Sequence, residues 1–439
     1  MKKALVLGAG LVAGPLVNYL LDHGHGVTVA SRTLGKAKAL VGDHQRGEAV
    51  QFEVSEDTTM LDDLVSQASI VVSLLPYTYH VKVAKACIEH QRSLVTTSYV
   101  SDEMQALDSA ARQAGVILLN EIGLDPGIDH MSAMRVIDRV HAAGGQVRAF
   151  KSFCGGLPAP EANDNPLGYK FSWSPRGVVL AGRNDGCYLE HGCTVEVPNE
   201  RLFATHYVTW VEGLGDFEAY PNRDSLPYIE RYGIPEADTI YRGTLRNLGW
   251  CDAMQKLNEL GYFSLQERDD LLDRTFRQVT AELIGSEDTP RLRADLATTL
   301  NTAPNSGLML TLQWLGLLDD EPVPARTTLL DVLADRMLEK MPYGQDERDM
   351  IILVHEFQAT YPGREEAIRS TLVDFGVPGG DTAMARTVGL PAGVGARMIL
   401  EGEIDLPGVH IPVAPQIYAP VLKELEDLRI AFEETVSHG

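Results

Sequence analysis

The stretch Gly8-Ala9-Gly10-Leu11-Val12-Ala13 restricts what the first part of this chain can fold into. It follows a short apolar run at residues 4–7 and precedes a segment with helical periodicity. Glycines at these positions allow a tight turn between a first strand and a first helix, and they let the backbone approach a pyrophosphate. The helix N-terminus then faces the phosphates. In this setting the pattern predicts a dinucleotide-binding turn rather than a glycine turn that holds no ligand.

The first 120 residues alternate between β-branched runs and amphipathic helical segments. Such alternation predicts parallel strands joined by right-handed crossovers, so we expect an α/β fold with a Rossmann, doubly wound parallel sheet. The predicted strands are residues 4–7, 27–30, 51–54, 70–75, 94–97 and 116–119, and the predicted helices include residues 58–68, 79–90 and 102–114.

The end of the second predicted strand bears on which dinucleotide is bound. NAD enzymes usually place an acid there, on the ribose 2′-hydroxyl. Here the sequence reads Ser31-Arg32-Thr33, which contains no carboxylate to repel a 2′-phosphate and offers the donor fork of Arg32 between two hydroxyls. NADP(H) is therefore favoured over NAD(H). The alternative is that Arg32 is an ordinary solvated arginine.

Ligands in open parallel sheets bind beyond the carboxyl ends of the strands. Three such ends are rich in functional groups: Leu75-Pro76-Tyr77, Thr97-Ser98-Tyr99 and residues 121–127. We expect the first beneath the adenine or ribose and the other two near the nicotinamide. Asp125 has a second interpretation, because Asp-Pro before an apolar helical pattern is also a good helix cap with proline in the first turn.

The formal net charge of −23 argues against nucleic acid and anionic membrane as partners, since both require a positive field. An anionic substrate would then need arginines placed locally, and Arg223 and Arg246 are candidates, with a surface ion pair as the alternative for each. Five cysteines without metal-ligand spacing indicate free thiols, no metal site and a cytoplasmic protein. No stretch is long and apolar enough to span a bilayer.

The length of 439 residues predicts two or three domains. After residue 141 the pattern changes to longer strands and loops, residues 248–340 read as a helical insertion, strands return at 349–357 and 370–375, and residues 381–400 are helical. The polar and aromatic loop at residues 165–173 favours a pocket wall, although a dimer contact would have the same composition.

Taken together, these segments resemble the saccharopine dehydrogenase family of the NADP-dependent, glutamate-forming type. The resemblance runs nearly end to end. It implies three domains and a homodimer: an NADP-binding Rossmann domain at 1–124 completed by about 390–439, a mixed-sheet substrate and dimerisation domain at 125–235 and 340–389, and a mostly helical domain at 236–339. Its most specific stretches are residues 120–130, 154–161, 165–173, 220–225 and 242–246.

The resemblance also implies a reaction, in which L-glutamate and 2-aminoadipate 6-semialdehyde condense to an imine that NADPH reduces to saccharopine. It places site residues on this sequence, and from the chemistry Asp125 and Tyr99 are the candidates for proton handling. The implied cofactor contacts are Gly10, Leu11, Val12, Ser31, Arg32, Thr33, Val54, Leu75, Leu124, Asp125 and Pro126, to which the glycine pattern adds Gly8, and the implied substrate contacts are Ser98, Tyr99, Asp125, Arg223, Thr244, Leu245 and Arg246.

Two other functions stay open at this point. A related NADP-dependent imine reductase acting on a polyamine precursor would require carboxylates where this chain has Arg223 and Arg246. A non-catalytic NADPH-binding regulator would have no need for those arginines or for the 165–173 loop. Cys154 and His130 are expected to be structural.

Overall fold

The structure is a computed structural model that describes residues 2–54 and 58–438. The chain divides into two compact units. The first comprises Met1–Gln146, Tyr361–Arg364 and Ser370–Thr435, and the second comprises Val147–Thr360, Glu365–Arg369 and Val436–Gly439. The finer division into three domains stays a prediction. Among the described residues, none of the helices combines the length and the apolar character needed to cross a membrane.

The first unit contains a seven-stranded sheet in which the described strand pairs are all parallel. The strand order is β15-β6-β5-β4-β1-β2-β3, which confirms the predicted doubly wound sheet. The strands are β1 (Lys3–Leu7), β2 (Gly26–Ser31), β3 (Gly47–Gln51), β4 (Ile70–Ser73), β5 (Ser93–Thr96), β6 (Ile117–Leu119) and β15 (Gly408–His410).

This strand order fixes where a ligand can sit. From β1 the chain runs outward through β2 and β3, and it then returns to the other side of β1 with β4. Neighbouring strands that lead in opposite directions leave a crevice at their carboxyl ends, which is the usual ligand position in such sheets. The apolar composition of β1 and β4 follows from burial on both faces, because helices cover the two sides of a parallel sheet.

Nine α-helices of the described chain belong to the first unit, and two of them come from near the end of the sequence. Thr382 begins the longer of these two, since its side chain accepts a hydrogen bond from the Ala385 N–H at 3.0 Å. The helices are α1 (Ala13–Asp22), α2 (Leu34–Val41), α3 (Thr59–Gln67), α4 (His80–Glu89), α5 (Asp102–Gln105), α6 (Asp108–Ala114), α7 (Ile128–Ala142), α15 (Ala383–Glu401) and α16 (Pro415–Asp427).

Two predictions for this unit are wrong. The strand expected at 51–54 lies earlier, at β3, because β3 pairs in register with β2 from Gly47 to Gln51. The helix expected at 102–114 is interrupted between α5 and α6. Asp108 is the first residue of α6, and its carboxylate accepts hydrogen bonds from Arg112 Nε and from the Val409 N–H, both at 2.8 Å, which ties this second helix to β15.

The second sheet is mixed and has nine strands. β7 pairs parallel with β12, whereas β10, β11 and β12 pair antiparallel. The order is β10-β11-β12-β7-β13-β14-β16, with β8 and β9 attached to β12. The strands are β7 (Gln146–Pro158), β8 (Gly186–Glu190), β9 (Cys193–Val197), β10 (Tyr207–Val211), β11 (Gly215–Pro221), β12 (Thr239–Asn247), β13 (Asp349–Tyr361), β14 (Arg364–Phe375) and β16 (Glu433–His438).

Helices follow β12, as the periodicity of residues 248–340 predicts. Together with the parallel sheet, this mixed sheet and its helices give the predicted α/β fold class. The strands predicted at 349–357 and 370–375 are parts of the longer β13 and β14, which are joined at Gly363 with φ +81°. The helices of this unit are α8 (Pro175–Ala181), α9 (Pro227–Arg231), α10 (Trp250–Glu259), α11 (Phe276–Leu283), α12 (Leu292–Thr299), α13 (Gly307–Trp314) and α14 (Leu329–Lys340).

Gly389 provides a test of how closely α15 packs on α1. A Cβ at this position would lie 2.6 Å from the Val12 carbonyl oxygen, so we expect Gly389→Ala to lower the free energy of unfolding by about 1–3 kcal/mol. Gly35→Ala is the matched control, because a Cβ there meets nothing within 4 Å and alanine favours a helix by up to about 1 kcal/mol. Thermal and urea unfolding measure both, and equal stability of the two variants would contradict the close packing.

Candidate active site

The predicted dinucleotide turn lies at the carboxyl end of β1. Gly8 has φ +110°, and a Cβ there would lie 3.0 Å from the carbonyl oxygen of Leu74, so this position requires glycine. A Cβ at Gly10 would meet nothing within 4 Å, and Leu11 is 70% exposed. No side chain caps the start of α1 at Val12. The turn thus presents backbone and a helix N-terminus to one side, which fits a pyrophosphate.

The residues predicted to choose between NADP and NAD lie at the end of β2. The Thr33 N–H donates to the Ser31 hydroxyl at 3.3 Å, and the side chain of Arg32 is 80% exposed. The sequence Ser31-Arg32-Thr33 itself contains no carboxylate, but one from another segment lies near it. Glu53, just beyond the neighbouring β3, places its Oε1 3.8 Å from Arg32 Nη1. This ion pair is exposed and weak, so Arg32 can exchange it for a phosphate.

The other predicted cofactor contacts also follow strands of the first sheet. Val54 and Leu75 are half-buried and pack against the same core cluster. Leu124 and Pro126 are buried in the loop between β6 and α7. These positions lie at strand carboxyl ends, where the fold predicts ligand contacts.

Tyr99 and Asp125 contact each other directly. The Tyr99 hydroxyl donates to Asp125 Oδ1 at 2.9 Å. The alternative interpretation of Asp125 as a helix cap is wrong, because α7 begins only after Gly127 and Asp129 Oδ1 accepts from the Gly127 N–H at 2.6 Å. The carboxylate of Asp125 is therefore directed to a phenol rather than to a helix terminus.

Ser98 lies beside a histidine that the sequence reasoning did not select. His80 Nε2 is 2.8 Å from Ser98 Oγ and 3.1 Å from Thr96 Oγ1, and His80 Nδ1 is 3.0 Å from Ser73 Oγ. Burial lowers the pKa of His80 to about 4, so the ring is neutral near pH 7. The available signal was a histidine at the start of a helix that follows a strand ending in serine.

In the second unit, the predicted substrate residues Thr244 and Arg246 share one face of β12. Side chains alternate along a strand, so Leu245 faces the opposite side and is fully buried. A Cβ at Gly155 would lie 2.6 Å from the Leu245 carbonyl, which shows how closely β7 covers it. Tyr220 is the register partner of Thr244 on β11.

Arg246 lies in a cage of aromatic rings and is only 4% exposed. Its guanidinium carbon is 4.8 Å from the ring centroid of Tyr169, 5.3 Å from that of Trp250 and 5.9 Å from that of Tyr220. Its Nη1 donates to the Leu245 carbonyl at 2.7 Å, and its Nε has no hydrogen-bond partner. No carboxylate oxygen of a described residue lies within 4.0 Å of its guanidinium nitrogens.

Glu218 is the register partner of Arg246, but its two oxygens accept from the Gly249 and Cys251 N–H groups. A buried cation without a direct carboxylate partner is costly, and an anionic ligand would lower that cost. The polar loop at 165–173 supplies Tyr169 to the cage, and the Trp173 indole N–H donates to the Tyr169 hydroxyl at 3.2 Å. Burial raises the pKa of Tyr169, so its phenol is neutral and acts as a π-face.

Arg223 follows β11 and is exposed, with φ +60°. Its carbonyl accepts a hydrogen bond from the Cys187 N–H at 2.9 Å, which holds the turn against β8. Arginine rarely adopts this conformation, at a cost of about 1–3 kcal/mol.

The predicted residues fall into two groups. The cofactor turn, Ser98, Tyr99 and Asp125 belong to the first unit, where they follow neighbouring parallel strands. The group of Arg223, Thr244, Leu245 and Arg246 belongs to the second unit. Within residues 2–54 and 58–438, no group of three or more histidine, cysteine or acidic side chains is arranged to hold a metal ion.

Known family models and similar proteins match nearly the whole chain. Residues 4–119 match the saccharopine dehydrogenase NADP binding domain, and residues 123–430 match the saccharopine dehydrogenase C-terminal domain. Saccharopine dehydrogenase [NADP(+), L-glutamate-forming] from Pyricularia oryzae is 42% identical over 436 residues, with 97% of each chain covered.

Solved structures show the same fold. Saccharopine dehydrogenase (L-Glu forming) from Saccharomyces cerevisiae superposes with a TM-score of 0.90 at 38% identity, covering 100% of both chains. The homospermidine synthase of Legionella pneumophila, solved with NAD, has a TM-score of 0.61 at 10% identity, covering 99% of this chain and 91% of that one, and shares the fold alone. With both domains matched and 42% identity over almost the full length, the chain belongs to the saccharopine dehydrogenase family.

Proposed function

We propose that this NADP(H)-dependent oxidoreductase interconverts saccharopine with L-glutamate and 2-aminoadipate 6-semialdehyde, in lysine metabolism. The caged Arg246 carries the proposal, because a desolvated guanidinium without a carboxylate partner is suited to a substrate carboxylate. Saccharopine carries three carboxylates, so a strongly acidic chain requires placed arginines to bind it. The 42% identity to the L-glutamate-forming enzyme of Pyricularia oryzae supports the assignment.

The residues at the carboxyl ends of β1, β2 and β4 fit NADP(H). The turn at Gly8 and Gly10, together with Leu11 and Val12, would bind the pyrophosphate through backbone N–H groups. Arg32 would bind the 2′-phosphate. Bound there, NADP(H) supplies or accepts the hydride. Further contacts to the dinucleotide would come from Ser31, Thr33, Val54, Leu75, Leu124, Asp125 and Pro126.

The predicted substrate contacts are considered in each unit by itself. In the second unit, Arg246 and Arg223 would bind carboxylates, and the hydroxyl of Thr244 shares a strand face with Arg246, so that it can donate to the same carboxylate. In the first unit, the hydroxyl of Ser98 contacts His80 and so has a fixed orientation, and Ser98 stays a predicted substrate contact. Leu245 is fully buried and stays a predicted contact.

Proton handling falls to Tyr99 and Asp125. In the oxidative direction saccharopine, NADP⁺ and water give glutamate, the semialdehyde, NADPH and a proton. The secondary amine must be neutral before its neighbouring carbon loses hydride, and water must then add to the imine before the C–N bond breaks. A carboxylate held by a phenol at 2.9 Å can accept the proton and orient the water.

Two rival functions are less well supported. A polyamine precursor is cationic and would be repelled by Arg246, which a site for such a substrate would replace with a carboxylate. A regulator that only binds NADPH would have no use for a buried arginine that has no direct ion pair with a carboxylate. Both rivals predict no glutamate-dependent turnover.

We also propose that the protein forms a homodimer in the cytoplasm. The five cysteines are free thiols, which fits a reducing compartment. β10 is an edge strand of the mixed sheet. It exposes Val208 and Trp210, an apolar pair that fits an interface. Sedimentation equilibrium measures the mass in solution, and cell fractionation tests the location.

The reaction is tested by mixing the purified protein with NADPH, L-glutamate and 2-aminoadipate 6-semialdehyde and following absorbance at the NADPH band. We expect consumption of NADPH that requires both substrates, and saccharopine as the product by mass spectrometry. Binding of NADPH without turnover would contradict the proposed reaction. Turnover with a diamine in place of glutamate would favour the polyamine function.

Arg32 should determine the preference for NADPH. We expect Arg32→Ala to raise the KM for NADPH about 10- to 100-fold, since a charge-assisted hydrogen bond contributes about 1.5–3 kcal/mol, and to leave the KM for NADH within about twofold. Lys36→Ala, a nearby exposed cation on α2, is the control for net charge. Glu53→Gln should lower the KM for NADPH about two- to threefold, because a carboxylate that repels the phosphate is removed. Equal effects on both cofactors would contradict this role of Arg32.

Arg246 should be needed for substrate binding but not for folding. We expect Arg246→Met to lower kcat/KM for saccharopine at least about 30-fold, since loss of one partner of a buried charge pair costs about 2–5 kcal/mol. The melting temperature should stay the same or rise, because methionine fills the aromatic cage without a buried charge. NADPH affinity, measured by fluorescence, is the control. A large fall in melting temperature would instead indicate a structural arginine.

A further inference from the structure

Glu121 is the most unusual residue of the first unit. It follows β6, its exposed fraction is 0%, and its φ is +56°. Buried glutamates are rare unless paired, and a positive φ in a residue other than glycine costs about 1–3 kcal/mol. The chain thus accepts two unfavourable features at one position, and such positions often serve function.

Glu121 holds the backbone on both sides of Tyr99. Its own N–H donates to the carbonyl of Ser98 at 3.1 Å, and its Oε1 accepts from the Val100 N–H at 3.0 Å. The positive φ of Glu121 allows both its backbone N–H and its side chain to reach the loop that contains Tyr99. Tyr99 therefore lies between two hydrogen bonds that depend on Glu121.

The other oxygen of Glu121 continues toward Asp125. Oε2 is 2.9 Å from His130 Nε2, and His130 Nδ1 is 3.5 Å from Asp129 Oδ2. Asp129 Oδ1 accepts from the Gly127 N–H, which lies two residues beyond Asp125. The three side chains are buried and form one connected path between the Tyr99 loop and the Asp125 loop.

We propose that Glu121, His130 and Asp129 form a buried positioning relay that sets the Tyr99 hydroxyl against the Asp125 carboxylate for proton transfer. The inference rests on the proposed roles of Tyr99 and Asp125. The three relay residues are buried, so the proposed role acts through Tyr99 and Asp125. Catalytic groups must be held to within a fraction of an ångström, and a displacement of about 1 Å can cost about 100-fold in rate.

The relay predicts a specific pattern of kinetic losses. Glu121→Gly removes the carboxylate, while glycine retains the positive φ without strain and keeps the N–H that donates to Ser98. We expect kcat to fall about 10- to 100-fold, with the dissociation constant of NADPH within about threefold of wild type. Glu121→Gln should have a kcat at least tenfold above that of Glu121→Gly, because its amide oxygen can accept from Val100 and its amide nitrogen can donate to His130.

A double-mutant cycle with Tyr99→Phe separates positioning from a general structural role. If the relay acts through Tyr99, Glu121→Gly will cause no more than about a twofold further loss of kcat in the Tyr99→Phe background. Losses that multiply would overturn the proposal, as would a Glu121→Gln variant as slow as Glu121→Gly. If Glu121→Gly does not fold, His130→Gln, whose amide reaches only one of the two carboxylates, replaces it in the cycle under the same criteria.

The wild-type rate separates the two levels of inference. If the wild type turns over saccharopine and the kcat losses of the two substitutions multiply in the double variant, the relay is overturned and the proposed function stays intact. Absence of wild-type turnover, with NADPH still bound, overturns both.

Discussion

The parallel pairing of β1 with both β2 and β4 is the constraint on which the first unit depends. A strand hydrogen-bonded on both sides to parallel neighbours has its carboxyl end surrounded by the carboxyl ends of those neighbours. The glycine turn, the Arg32 loop and the residues after β4 are then close because of backbone geometry alone. The same alignment, continued through β5 and β6, brings Tyr99 to Asp125. Side-chain chemistry refines an arrangement that the backbone hydrogen bonds have already set.

In the second unit, the alternation of side chains along β12 places the polar groups. A sheet with antiparallel partners presents side chains of alternate residues on one face, and β12 uses this to place a hydroxyl and a guanidinium together. The aromatic cage replaces water around Arg246 with π-faces, which stabilise the cation in part and exclude competing ions. Selectivity for a carboxylate would come from geometry as well as charge, because a guanidinium held between rings can offer its donors only in a fixed plane.

Periodicity and glycine spacing predicted much of the first unit. Most strand positions and the arginine after β2 followed from local pattern and general topology, whereas the return of the C-terminal helices was implied by the family resemblance. The errors involve contacts between segments that are distant in the sequence. Asp108 in the first turn of α6 binds β15, 301 residues further along the chain, and Asp125 pairs with Tyr99 instead of capping α7. His80 was missed because its neighbours come from three separate segments.

The relation between α1 and α15 has a consequence for how the chain is made. Gly389 lies against Val12, so part of the cover over the start of α1 comes from α15, which is synthesised much later. At about 5–20 residues per second, the ribosome exposes the first unit without this cover for a time on the order of tens of seconds. During that interval the apolar residues of α1 that contact α15 are open to chaperones. A nascent chain can therefore begin to assemble its parallel sheet early, but it completes the packing around α1 only after α15 has left the ribosome.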